Sequence, residues 1–96
     1  MNGFDNENTK YLYSALAAIK TEEEAKAFLQ DICTIGELTE MANRISVAKM
    51  LSDGLTYQQI CESTGISTAT VTRVNRCLRY GSGGYKLILD RLERGE

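Results

Sequence analysis

The sequence predicts an all-α fold of about six helices, and three observations carry that expectation. Proline and tryptophan are absent, and two Phe and five Tyr are the only aromatic residues among 96, so few of the side chains that favour strands are present. Apolar residues recur three and four positions apart along most of the chain, which is the period of a helix with one buried face. Thr stands three residues ahead of Glu or Gln at Thr21/Glu24, Thr34/Glu37 and Thr56/Gln59, a spacing at which the two side chains cap each other's backbone at a helix start. With 43% hydrophobic residues the chain has material for one core and is too short for two, so residues 1–96 are expected to form a single domain.

The elements follow in order. Leu12, Ala15/Leu16 and Ile19 mark a first amphipathic helix, and Ala25, Phe28/Leu29 and Ile32 a second that opens at Thr21. Glu22, Glu23 and Glu24 then fall at the positive end of the second helix dipole, so the acidic run reads as a helix start rather than a binding site. A long third helix opens at Thr34, with Leu38, Met41/Ala42, Ile45, Ala48 and Leu51 as its inward stripe. Gly54 ends it with a left-handed cap. A fourth, short helix runs from Thr56 to the Thr64-Gly65 pair, and Ser67 caps a fifth whose inward stripe is Val71, Val74 and Leu78. The fifth ends at Arg79-Tyr80-Gly81. The GSGG stretch at 81–84 is a hinge rather than a phosphate cradle, because Tyr85 stands before Lys86 where a Walker pattern needs Gly-Lys. A sixth helix over 84–94 carries Tyr85, Ile88/Leu89 and Leu92 inward, with Arg91 and Arg94 off the stripe.

Residues 55–80 thus form two short helices about a glycine turn, a helix-turn-helix, whose second helix can enter the major groove of DNA. Ile60, Ile66, Val71 and Val74 supply the wedge between the helices, and Cys61 is small where they cross. If Val71 and Val74 face inward, Thr68, Ala69, Thr72, Arg73 and Arg76 face outward, since each residue advances about 100°. Small hydroxyl and methyl groups let a helix approach base edges, and arginine reaches guanine or phosphate. Between Ser63 and Gly84 there is no Asp or Glu, while Arg73, Arg76 and Arg79 recur every third residue. The net charge of -2 opposes DNA binding only weakly, because salt screens distant carboxylates beyond about 8 Å. Capping and plain hydration account for Ser67 and Arg79 but not for the whole pattern.

Other classes find less support. Cys33, Cys61 and Cys77 are odd in number, form no C-x-x-C pair and have no histidine beside them, so reduced thiols in a cytoplasmic protein are expected, with no metal site and no cofactor. No nucleophile has an evident base, and no paired carboxylates stand in an apolar segment, so an enzyme is not expected. The first ten residues, MNGFDNENTK, lack the basic and apolar regions of a secretory signal. No stretch approaches the roughly 18 apolar residues of a membrane span.

The stretch NRISVAKMLSDGLTYQQICESTGISTATVTRVNRCLRYG resembles the Trp repressor superfamily, in particular its TrpR-like YerC/YecD family, and the resemblance extends over about residues 28–92. It implies a Trp-repressor-like intertwined homodimer in which the N-terminal helices, residues 7–53, build the shared core. The paired reader helices of such a dimer face successive major grooves, with half-sites about 34 Å apart. In the tryptophan-responsive members two arginines sandwich the indole, and they correspond to Arg44 and Arg73. Where that pocket has Gly and Ser this chain has Val74 and Cys77. A valine fills space the ring needs, so the effector, if there is one, is expected to be a different small molecule. Arg44 has two other readings, an ion pair with Glu40 or a phosphate contact, and Arg73 is read as a phosphate anchor before a ligand clamp.

The expected function is that of a sequence-specific, DNA-binding transcriptional regulator, a repressor that binds double-stranded DNA as a homodimer. Arg73, Arg76 and Gln58 contact phosphate, Thr68, Ala69 and Thr72 read bases, and Ser67 joins them at the helix start. The competing reading is a protein-interaction domain that keeps the same fold without binding DNA.

Overall fold

The computed structural model describes residues 3–96. Six helices and no strand occur among them: α1 (Glu7–Ala17), α2 (Glu22–Ile32), α3 (Ile35–Ser52), α4 (Tyr57–Thr64), α5 (Thr68–Tyr80) and α6 (Gly84–Glu93). The chain divides into two compact units between Leu38 and Thr39, inside α3.

The first unit holds α1, α2 and the opening turn of α3. Asn6 and Thr9 cap α1 reciprocally at 2.9 Å each way. Thr21 Oγ1 accepts from the Glu24 amide at 3.1 Å, while Glu24 reaches back one residue further than a capping box requires, to the Lys20 amide. Thr34 and Glu37 complete the full box at the start of α3. The two hydrogen bonds from Thr34, backbone first, hold the Glu37 carboxyl below its ordinary value of 4.5. Neither α1 nor α2 buries a residue fully, and Tyr11, Leu16, Ile32 and Ile35 are exposed. The predicted stripe residues Leu12, Ala15, Ile19, Ala25, Phe28 and Leu29 are half-buried.

The second unit has a continuous core of Val47, Ala48, Ile60, Val71, Val74 and Leu89, packed round by Ile45, Leu51, Leu55, Cys61, Ile66 and Tyr85 among others. Its α3 segment departs from the predicted stripe. Val47 joins Ala48 inside, whereas Met41 and Ala42 stay exposed. Ile45, Val47, Ala48, Met50 and Leu51 wrap most of the circumference, so spacing alone does not choose the buried side; packing against α4 and α5 residues does. Ile45 and Met50 flank the buried side on either edge, next to Ala48 and Val47 respectively, and are half-buried against the core. With Ser46, Lys49, Leu89, Leu92 and Glu93 they line an open groove of about 560 Å³.

α3 ends as expected at Gly54, whose φ of 91° closes a double turn: its amide donates to Leu51 at 3.0 Å and the Leu55 amide to Met50 at 3.1 Å. Leu55 then packs on the core. At the end of α5, a side chain on Gly81 would collide with the Cys77 carbonyl.

Candidate nucleic-acid interface

Residues 55–80, expected as a helix-turn-helix, hold two helices, α4 and α5, joined by three residues. Thr56 and Gln59 cap α4 reciprocally, at 3.1 and 2.8 Å. Gly65 terminates it with φ 75°, a conformation that costs other residues steric strain. Ser67 starts α5, its Oγ accepting from the Thr70 amide at 3.2 Å and donating to Thr70 Oγ1 at the same distance. Ile60, Val71 and Val74 are fully buried at the crossing, and Cys61 lies there half-buried with its Sγ 3.9 Å from Thr68 Oγ1.

With the valines turned in, Ser67, Thr68, Ala69, Thr72, Arg73 and Arg76 are all exposed. The structure therefore brings the predicted reader residues to one side of one helix. Among the described residues neither Arg73 nor Arg76 has an ion pair or side-chain hydrogen bond. Two other polar side chains are committed elsewhere. Arg79 Nε donates to Asn75 Oδ1 at 3.1 Å, and Gln58 Nε2 donates to Glu62 Oε1 at 3.0 Å. Gln58 is thus exposed on α4 beside a carboxylate, a less favourable setting for phosphate than Arg73 or Arg76 have.

The candidate effector residues have different environments. Arg44 pairs with Glu40 at 3.3 Å, one of the alternatives the sequence left open. Val74 is fully buried, whereas Arg73 and Cys77 are exposed. Tyr85, read from sequence only as part of the α6 stripe, is half-buried within electrostatic reach of Cys77 and Arg44. Burial, then Cys77, pushes its hydroxyl up, and Arg44 opposes the shift.

Two further residues escaped the sequence reading. Asn75 holds Arg79, and Thr64, beyond marking the end of α4, hydrogen-bonds across the turn. A Thr immediately before a turn glycine was the available signal for the second, since its hydroxyl can bond back to the carbonyl four residues earlier.

The family model described as Trp repressor protein matches residues 7–93. The chain belongs to the Trp repressor family. The match extends beyond the resemblance seen in residues 28–92 and takes in α1 and α2. Within the family the YerC-like branch is indicated: uncharacterized protein YerC of Bacillus subtilis is 45% identical over 85 residues, 88% of this chain and 82% of its own. A Trp operon repressor homolog of Chlamydia caviae is 32% identical over 79% of this chain and 76% of its own. The crystal structure of a TrpR-like protein from Eubacterium eligens superimposes with a TM-score of 0.89 at 42% identity, covering 97% of this chain and 96% of that one. Members of the Trp repressor family are regulators rather than enzymes, and no helix among the described residues is long and apolar enough to cross a membrane.

Proposed function

We propose that this Trp repressor family member is a sequence-specific DNA-binding transcriptional regulator that acts as a homodimer and represses by occupying a promoter. The observation that carries the reading is the outer side of α5, where Thr68, Ala69 and Thr72 stand exposed beside Arg73 and Arg76, two arginines with no ion pair or side-chain hydrogen bond among the described residues. A carboxylate near those arginines would compete with phosphate, and residues 63–84 contain none. In this reading Arg73 and Arg76 neutralise phosphates and fix the register, while Thr68, Ala69 and Thr72 read base edges.

Dimerisation rests on apolar surface that each unit leaves uncovered. In the first unit Tyr11, Leu16, Ile32 and Ile35 are exposed; in the second, Leu92 is exposed and lines the open groove with the half-buried Ile45 and Met50. A second copy is the occupant the family fold supports, and burying such side chains contributes about 1.5–3 kcal/mol each. Light scattering should give twice the chain mass of 10.7 kDa.

Tryptophan is not the effector in this account, because Val74 is packed into the core with no exposed surface. Any effector is a different small molecule. The deciding experiment selects bound fragments from random duplex DNA, with and without tryptophan and a metabolite panel. The reading requires a recurrent two-fold motif that R73A/R76A fails to enrich, and enrichment unaffected by tryptophan. A chain that enriches nothing at low salt is not a DNA-binding regulator.

A further inference from the structure

The segment between α4 and α5 is only three residues long, Gly65, Ile66 and Ser67, and its geometry fixes the direction in which α5 departs. The Gly65 amide donates to the Cys61 carbonyl at 2.9 Å, as a helix cap does. The Ile66 amide lies outside the helical ladder and donates instead to Thr64 Oγ1 at 3.0 Å. That same hydroxyl donates its proton to the Ile60 carbonyl at 2.6 Å. One oxygen can do both, since a hydroxyl has one proton to give and lone pairs to accept with.

The consequence is a brace with one end in the core and the other in the turn. Ile60 is fully buried and Ile66 packs half-buried against the same cluster, so the two anchored groups move little. Thr64 ties the last turn of α4 to the residue that leads directly into the Ser67 cap. The neighbouring hydroxyl shows what a side chain without this role does: Ser63 Oγ donates to the same Ile60 carbonyl at 3.3 Å and bonds nothing in the turn.

We propose that Thr64 is a positioning residue of the reader, its hydroxyl setting the angle at which α5 leaves the turn and hence how Thr68 and Thr72 meet base edges. The proposal rests on the reading of α5 as a DNA-contacting helix. It predicts a defect of a particular kind. Base readout by short hydroxyl side chains depends on close placement of the helix, whereas long arginine side chains still find phosphate after a small rotation. Loss of the brace therefore reduces discrimination between sequences and spares non-specific binding.

Two measurements on the full chain test this with T64V, which keeps the side-chain shape, T64S, which keeps the hydroxyl, and S63A as a control. In the first, amide hydrogen exchange is followed by NMR. T64V should speed exchange of the Ile66 amide about tenfold while the amides of the α5 interior stay protected, and T64S and S63A should match the wild type. In the second, fluorescence anisotropy compares a duplex selected from random DNA with a scrambled one. T64V should lose about tenfold in affinity for the selected duplex and less than about twofold for the scrambled one, with T64S and S63A unchanged. If T64V does not fold, T64A takes its place in both.

The proposal is overturned if T64V keeps wild-type exchange at Ile66, if exchange accelerates without loss of discrimination, or if T64S fails as T64V does. A wild-type chain that does not distinguish the two duplexes refutes the DNA-reading function instead, and the exchange arm still decides whether Thr64 holds the turn.

Discussion

Thr72 and Arg76 stand about one helical turn apart on the outer side of α5 and are assigned different work. Thr72 is short and meets a base edge only where the helix backbone comes close, so T72A should reduce discrimination at one base pair by about 1–3 kcal/mol. Arg76 is long, charged and unpaired among the described residues, so R76A should weaken selected and scrambled duplexes alike and lower the salt slope by about one. Binding isotherms at several salt concentrations separate the two effects. A third residue gives a pH signature away from the interface. Because the Thr34 hydrogen bonds depress the Glu37 carboxyl in the folded chain, they contribute stability that is present above the unfolded value and lost as pH falls through the lower folded one. Carboxyl titration followed by NMR should find Glu37 below 4.5, and T34A, which removes the hydroxyl but keeps the Thr34 backbone amide that is the larger cause, should raise it only part of the way back.

Helix boundaries and caps were largely legible in the sequence, because they depend on a few residues acting locally. Thr34/Glu37, Thr56/Gln59, Ser67 and the two glycines that end α3 and α4 form the caps their spacing implied. S67A should therefore destabilise the fold by about 1 kcal/mol in chemical denaturation. The inward side of α5 was legible for a related reason: Val71 and Val74 are its only strongly apolar residues at that spacing before Leu78. On α3 apolar residues surround the helix, and only contacts with distant parts of the chain choose Val47 over Met41. Fine polar pairings were hidden too. Nothing in the sequence said that Gln58 would turn to Glu62, or Arg79 to Asn75, because a free rotamer has several partners within reach. Ile60 lies where these elements meet, fully buried; I60A should cost about 2–5 kcal/mol in denaturant titration by leaving a cavity beneath the reader helix.

For the whole molecule, charge is divided along the chain: residues 1–53 hold nine acids and five bases, and residues 54–96 four acids and six bases. In the proposed function, this division confines attraction for DNA to the C-terminal part. An acidic remainder would weaken non-specific adsorption, and the phosphates neutralised by the arginines would set the salt dependence of the proposed complex. A homodimer built on the uncovered apolar surfaces would present two reader helices, and the sites it selects should be palindromic with half-sites about 34 Å apart, one turn of the double helix. The most direct test of the account is a chemical-shift titration of the isotope-labelled chain with a duplex recovered by selection. The account predicts that the largest perturbations fall between Ser67 and Arg76, on Thr68, Ala69, Thr72, Arg73 and Arg76. Perturbations confined to α1 and α2, with the outer side of α5 unmoved, would contradict it.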